Sequence, residues 1–108
     1  MDEVMRLTAR EAVRRLKAGD ITPLELIDAA LARIAETDGA LNALPTLVPE
    51  RARAAARAIM DGPRTGADHP GWLAGLPIAV KDLTDVAGVR TTFGSPIYAD
   101  NIAQQTDA

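Results

Sequence analysis

Trp72-Leu73-Ala74-Gly75-Leu76-Pro77-Ile78-Ala79-Val80 is a mostly apolar run that stops abruptly at Lys81-Asp82. A short apolar segment bounded by a polar break predicts a strand buried on both faces. A lysine directly after such a strand must reach water, pair with a carboxylate, or sit desolvated with a lowered pKa. Two readings of Lys81 stay open on spacing alone. It either emerges solvated or paired with Asp82 or Asp85, or it is a neutral amine able to act as general base toward a serine hydroxyl.

Upstream of this stretch the pattern is helical. Thr8-Ala9-Arg10-Glu11 reads as a capping box, and Ala9, Ala12, Val13 and Leu16 share one helix face before Gly19 ends it. A second start signal combines Thr22 as cap, Pro23 at the first helical position and Glu25, with Ile21 and Leu26 spaced as a hydrophobic staple. Leu24, Ile27, Leu31 and Ile34 predict its buried stripe, and Gly39 its end. Pro45 argues for an extended connection, and Pro49 opens a third helix through about Met60 with a small-sided face of Ala52, Ala55, Ala56 and Ile59. Gly, Pro, Asp and Arg then dominate 61–71, a surface loop that holds His69, read as solvent-exposed. The organisation expected is helices over 1–60, then loop, strand and turn over 61–108, as parts of one incomplete domain.

Composition narrows the function. The chain has 108 residues, 47% of them apolar, and a net charge of -3 with acids and bases interspersed. That balance gives no reason to expect nucleic acid or an anionic membrane as partner, and the arginines of the first and third helices read as a solvated face. Cysteine is absent, which excludes thiol chemistry and fits the cytosol. The first residues carry two acids and no apolar run, unlike a signal peptide, and nothing approaches the roughly 20 apolar residues of a membrane span. A soluble cytoplasmic protein is expected. Ser95 is the only serine and His69 the only histidine, a poor basis for a Ser-His-Asp site or a metal site.

Gly75-Leu76-Pro77-Ile78-Ala79-Val80-Lys81-Asp82, then Asp85 to Val89 with its Gly88, then Thr91-Thr92-Phe93-Gly94-Ser95, resembles the amidase signature family in content and order. The Thr22-Pro23-Leu24-Glu25-Leu26 helix start matches that family as well. The resemblance implies an α/β fold, a mixed sheet covered by helices on both faces, of which this portion supplies leading helices and one core strand. It implies hydrolysis or transfer of carboxylic amides through a Ser–cis-Ser–Lys triad, with Lys81 matching the lysine. That lysine accepts a proton, through a bridging serine, from the nucleophilic serine, which forms an acyl-enzyme. Backbone N–H groups of a later Gly/Ser-rich loop stabilise the oxyanion. Both triad serines lie downstream in the family. Ser95 matches the serine of the T-x-G-S turn and reads as a turn residue beside Pro96. Asp82 is expected to fix the backbone or surroundings of Lys81, and Thr91, Thr92 and Gly94 to line a pocket mouth. No metal and no organic cofactor is implied.

Thr106-Asp107-Ala108 reads as a helix start with Asp107 as N-cap. The expectation is therefore a truncated, split or engineered fragment, inactive alone, whose unpaired strand favours self-association. A second polypeptide carrying the serines would complete the site. A non-catalytic helical interaction module is the alternative.

Overall fold

The computed structural model describes residues 2–108. Helices α1 (Asp2–Met5), α2 (Ala9–Ala18), α3 (Pro23–Leu41) and α4 (Pro49–Asp61) follow one another in the first part of the chain. The hydroxyls of Thr8 and Thr22 accept the backbone N–H groups of Glu11 and Glu25, each at 3.1 Å. Those bonds satisfy donors that the first turn of a helix leaves open. The Glu11 carboxylate does not return to its cap. It accepts from Arg14 Nε at 2.9 Å, Arg14 Nη2 at 2.7 Å and Arg15 Nε at 3.1 Å, so only half of the expected box forms at α2. Gly19 closes α2 at φ 80°, with Asp20 N–H donating to the Arg15 carbonyl at 3.0 Å.

Helix α3 runs through Gly39, where the sequence predicted its end. Asn42 takes the left-handed conformation at φ 51° instead, and its N–H donates to the Asp38 carbonyl at 2.6 Å. The Asp38 carboxylate adds a bond from Ala43 N–H at 2.7 Å. A carboxylate that accepts the N–H just past the helix end, together with an asparagine that tolerates the left-handed conformation, moves the stop one turn beyond the glycine.

The chain divides into two compact units, Met1–Pro77 and Ile78–Ala108. In the first, Leu16 of α2, Leu26 of α3 and Ala74 are buried together, with Val4, Met5, Ile21, Trp72 and Leu76 packed against them. The buried face of α3 is Pro23, Leu26 and Ala29, while the predicted stripe of Leu24, Ile27, Leu31 and Ile34 is only half-buried. The turn at Ala74-Gly75 selects that face. Gly75 has φ 96°, and a Cβ on it would lie 2.5 Å from Pro23 Cγ, so the backbone lies directly on the start of α3. Helix α4 packs along α3. Ala56 is its buried residue, and Arg53 reaches Asp28 of α3 at 3.1 Å.

The expected core strand is absent: no strand forms among the described residues. Leu76 N–H donates to the Leu73 carbonyl at 3.0 Å, which turns the front of the apolar run onto the helices. Its rear is solvated, with Ile78 71% and Val80 49% exposed. A strand exists through hydrogen bonds to a neighbour, and no described segment of this chain pairs with 78–80. The chain is therefore mostly helical, and the α/β sheet is not seen.

The second unit is irregular. A single antiparallel bridge joins Arg90 to Ile102, flanked by Thr91 N–H to the Asn101 carbonyl at 2.9 Å and Ala103 N–H to the Val89 carbonyl at 3.0 Å. The expected helix start at Thr106-Asp107 is replaced by a tie. Asp107 Oδ2 accepts from Asp85 N–H at 2.8 Å, and Asp107 N–H donates to the Asp85 carbonyl at 2.9 Å. No helix is long and apolar enough to cross a membrane among the described residues.

Candidate active site

Lys81 is exposed, and its carbonyl closes a turn by accepting Thr84 N–H at 2.9 Å. The Asp82 carboxylate does not pair with it. Oδ1 of Asp82 accepts the Thr92 N–H at 2.8 Å and Oδ2 accepts the Thr92 hydroxyl. The Asp82 carbonyl takes Phe93 N–H at 3.0 Å, so the side chain binds Thr92 and the main chain binds the residue after it. Among the described residues no carboxylate forms an ion pair with Lys81.

These donors hold the Asp82 carboxyl below the usual carboxylate range. The Thr92 hydroxyl acts most strongly, followed by the Thr92 N–H, and partial desolvation opposes them. The positive charge of Arg90 acts in the same direction as the donors. Asp82 therefore stays ionised and acts as a fixed acceptor.

Around it the Thr91-Thr92-Phe93-Gly94-Ser95 stretch is folded tightly. Thr91 is 2% exposed, and its carbonyl accepts Asn101 Nδ2 at 2.9 Å. Thr92 is buried as well, and its hydroxyl oxygen takes Gly94 N–H at 3.3 Å. Phe93 and Gly94 both have positive φ, 53° and 70°, which reverses the chain, and the Phe93 ring meets Tyr98 edge-on at 5.2 Å. Ser95 N–H donates to the Thr92 carbonyl at 2.9 Å, and its Oγ accepts Ile97 N–H at 3.3 Å to start the short 3-10 turn Pro96–Tyr98.

The structure thus joins Asp82 to Thr92 beside Lys81, places Thr91 inward, and leaves Gly94 and the Lys81 side chain in solvent. Asn101 and Arg90 were not singled out by the sequence. Asn101 lies ten residues from Thr91 with no motif around it, and only the bridge shows that it braces the turn. His69 is exposed in its loop, and its Nδ1 accepts Gly71 N–H at 2.9 Å. No group of three or more His, Asp or Glu side chains is placed to hold a metal ion among the described residues.

Comparison with known proteins gives a consistent result. The family model described as Amidase matches residues 25–108. An amidase of Pseudomonas putida is 39% identical over 102 residues, covering 91% of this chain and 21% of that protein. A glutamyl-tRNA(Gln) amidotransferase subunit of Chloroflexus aurantiacus is 46% identical over 99 residues, covering 92% of this chain and 20% of that one. A solved structure, described as an unexpected vestigial protein complex that reveals the evolutionary origins of an s-triazine catabolic enzyme, aligns with a TM-score of 0.79 at 37% identity. It covers 93% of this chain and 22% of the other. The chain spans about a fifth of the length of the curated relatives it matches.

Proposed function

The chain belongs to the amidase family, and from that membership we propose that it supplies Lys81 as the general base of a serine-dependent amidase. The side-chain nitrogen of Lys81 takes a proton, relayed by a bridging serine, from the serine that attacks the amide carbonyl. Lys81 returns that proton to the leaving amine as the C–N bond breaks and the acyl-enzyme forms, and water then cleaves the ester to release the carboxylic acid and the free serine. Backbone N–H groups supplied outside this chain stabilise the oxyanion. Ser95 is not the nucleophile on this reading, since it is the cap of a turn. The nucleophilic and bridging serines come from sequence beyond these 108 residues, and the chain alone does not turn over amides.

The observation that carries the reading is the tie from Asp82 to Thr92. It draws the lysine–aspartate pair and the threonine–glycine–serine turn, ten residues apart in sequence, into one structural unit beside Lys81. In the complete domain residues 76–80 become a strand of an α/β mixed sheet, and 1–60 and 61–108 are parts of that one domain. The solvated apolar side chains of Ile78 and Val80 support this. A chain without cysteine suits the cytoplasm. Amide transfer is the second reading, favoured by the 46% identity to an amidotransferase relative; there Lys81 keeps its role and a second polypeptide assembles with the chain.

The test is hydrolysis of an aryl amide by the chain alone and after adding the carboxy-terminal remainder of a relative as a separate polypeptide. Turnover is expected only in the mixture and is lost with Lys81→Ala. A Lys81→Ala mixture with undiminished turnover would sink the assignment.

A further inference from the structure

Arg10, Arg14 and Lys17 follow one another along a single face of α2 at spacings of four and three residues. With Val13, Trp72 and Leu73 among its other walls, this face forms an open groove of about 410 Å³. Its lining holds three cations and no acid. Glu11 compensates Arg14 and Arg15, but Arg10 and Lys17 are exposed and form no ion pair among the described residues. In a chain of net charge -3 this is a local reversal of sign.

The apolar wall is held in place before anything binds. Trp72 packs on the core of Leu16, Leu26 and Ala74, and the Arg64 guanidinium sits 5.1 Å from its ring centroid. Arg64 Nη2 also donates to the Lys17 carbonyl at 3.5 Å, joining the loop to the end of α2. Leu73, beside Trp72, remains 48% exposed.

We propose that this groove docks an acidic amphipathic helix of a partner polypeptide. The cations from Arg10 to Lys17 span about 10 Å along α2. Acidic residues at three- and four-residue spacing on a partner helix match that span, and an apolar residue between them covers Trp72 and Leu73. The charge complementarity is local, and the chain as a whole lacks the broad positive field that nucleic acid requires. The proposal is independent of the role given to Lys81.

Trp72 is the only tryptophan, so its fluorescence reports on the groove directly. The probe is a synthetic helical peptide with leucines on one face bordered by glutamates, compared with a version carrying lysines in place of the glutamates. The glutamate peptide is expected to shift Trp72 emission saturably. Arg10→Gln combined with Lys17→Gln, both at exposed positions, should weaken it about tenfold, and raised salt should weaken it similarly. Equal binding of both peptides, an unchanged dissociation constant in the double variant, or no saturable shift would overturn the proposal. Displacement of the peptide by inorganic phosphate would point to a small-anion site, and displacement by an oligonucleotide to nucleic acid; either also overturns it. If the double variant unfolds by circular dichroism, the salt dependence of the unsubstituted chain decides.

Discussion

The carboxylate of Asp82 receives both the backbone N–H and the hydroxyl of Thr92, and the Asp82 carbonyl receives the N–H of the next residue, Phe93. One residue therefore closes the loop between the two halves of the family motif, and it is the residue directly after the proposed base.

Thr92→Val removes the hydroxyl donor and keeps the shape. Amide exchange at Thr92 and Phe93 should speed up by about tenfold, while exchange in α2 and α3 stays unchanged. Thr92→Ser should restore protection. Equal protection in the valine and serine variants would mean the hydroxyl adds nothing.

Acid should loosen the chain in a defined order of sign. Glu11 is lowered to about 2, first by its bond to Arg14 and then by Arg15, and Asp82 is also lowered. Each group titrates lower folded than unfolded. Its contribution is complete above the unfolded value of about 4 and is lost as pH falls through the folded value. Circular dichroism from about pH 5 to about pH 2 should show helix content falling, less steeply for Glu11→Gln. Salt should shrink the difference, because the Glu11–Arg14 pair is on the surface.

Gly75→Ala should destabilise the helical unit by about 2 kcal/mol, since it combines a positive φ with a collision at Pro23. Gly66 has φ 80° with nothing within 4 Å of an added Cβ, so Gly66→Ala isolates the backbone cost, about 1 kcal/mol. Thermal melts of the two variants separate strain from clash.

Thr22→Ala removes the cap that starts α3 and should cost about 1 kcal/mol in a denaturant melt. Lys81→Ala, by contrast, removes an exposed side chain that forms no ion pair among the described residues and should change stability by less than about 0.5 kcal/mol. A large loss of stability there would give Lys81 a structural role.

The helix starts were legible because capping is local. Thr8 and Thr22 stand three residues from the N–H groups they accept, and Pro49 sits at the first position of its own helix. The end of α3 was misplaced because two residues could close it, and the side chain of Asp38 favoured Asn42 over Gly39. The strand failed for a different reason: an apolar run states what it would bury, while a strand also needs a neighbour, and no described segment pairs with 78–80. The site divides the same way. The order of motif residues pointed to Lys81, Asp82 and the Thr91–Ser95 turn, but spacing could not say that Asp82 faces Thr92 rather than the lysine. Nothing in the sequence marked Asn101 as the brace of Thr91.

Ile78 to Val80 lie in solvent, whereas Asp82 is tied at side chain and main chain. Lys81 stands at the junction of an exposed stretch and a fixed one. On the amidase reading, the contact from Asp82 to Thr92 closes over only ten residues, whereas 78–80 would be ordered by a more distant partner strand, which would be the slower event. The Lys81 side chain would then take its final direction last, so that on this reading chemical competence would appear only when assembly ends. On that reading, timing alone would keep a half-built site from acting.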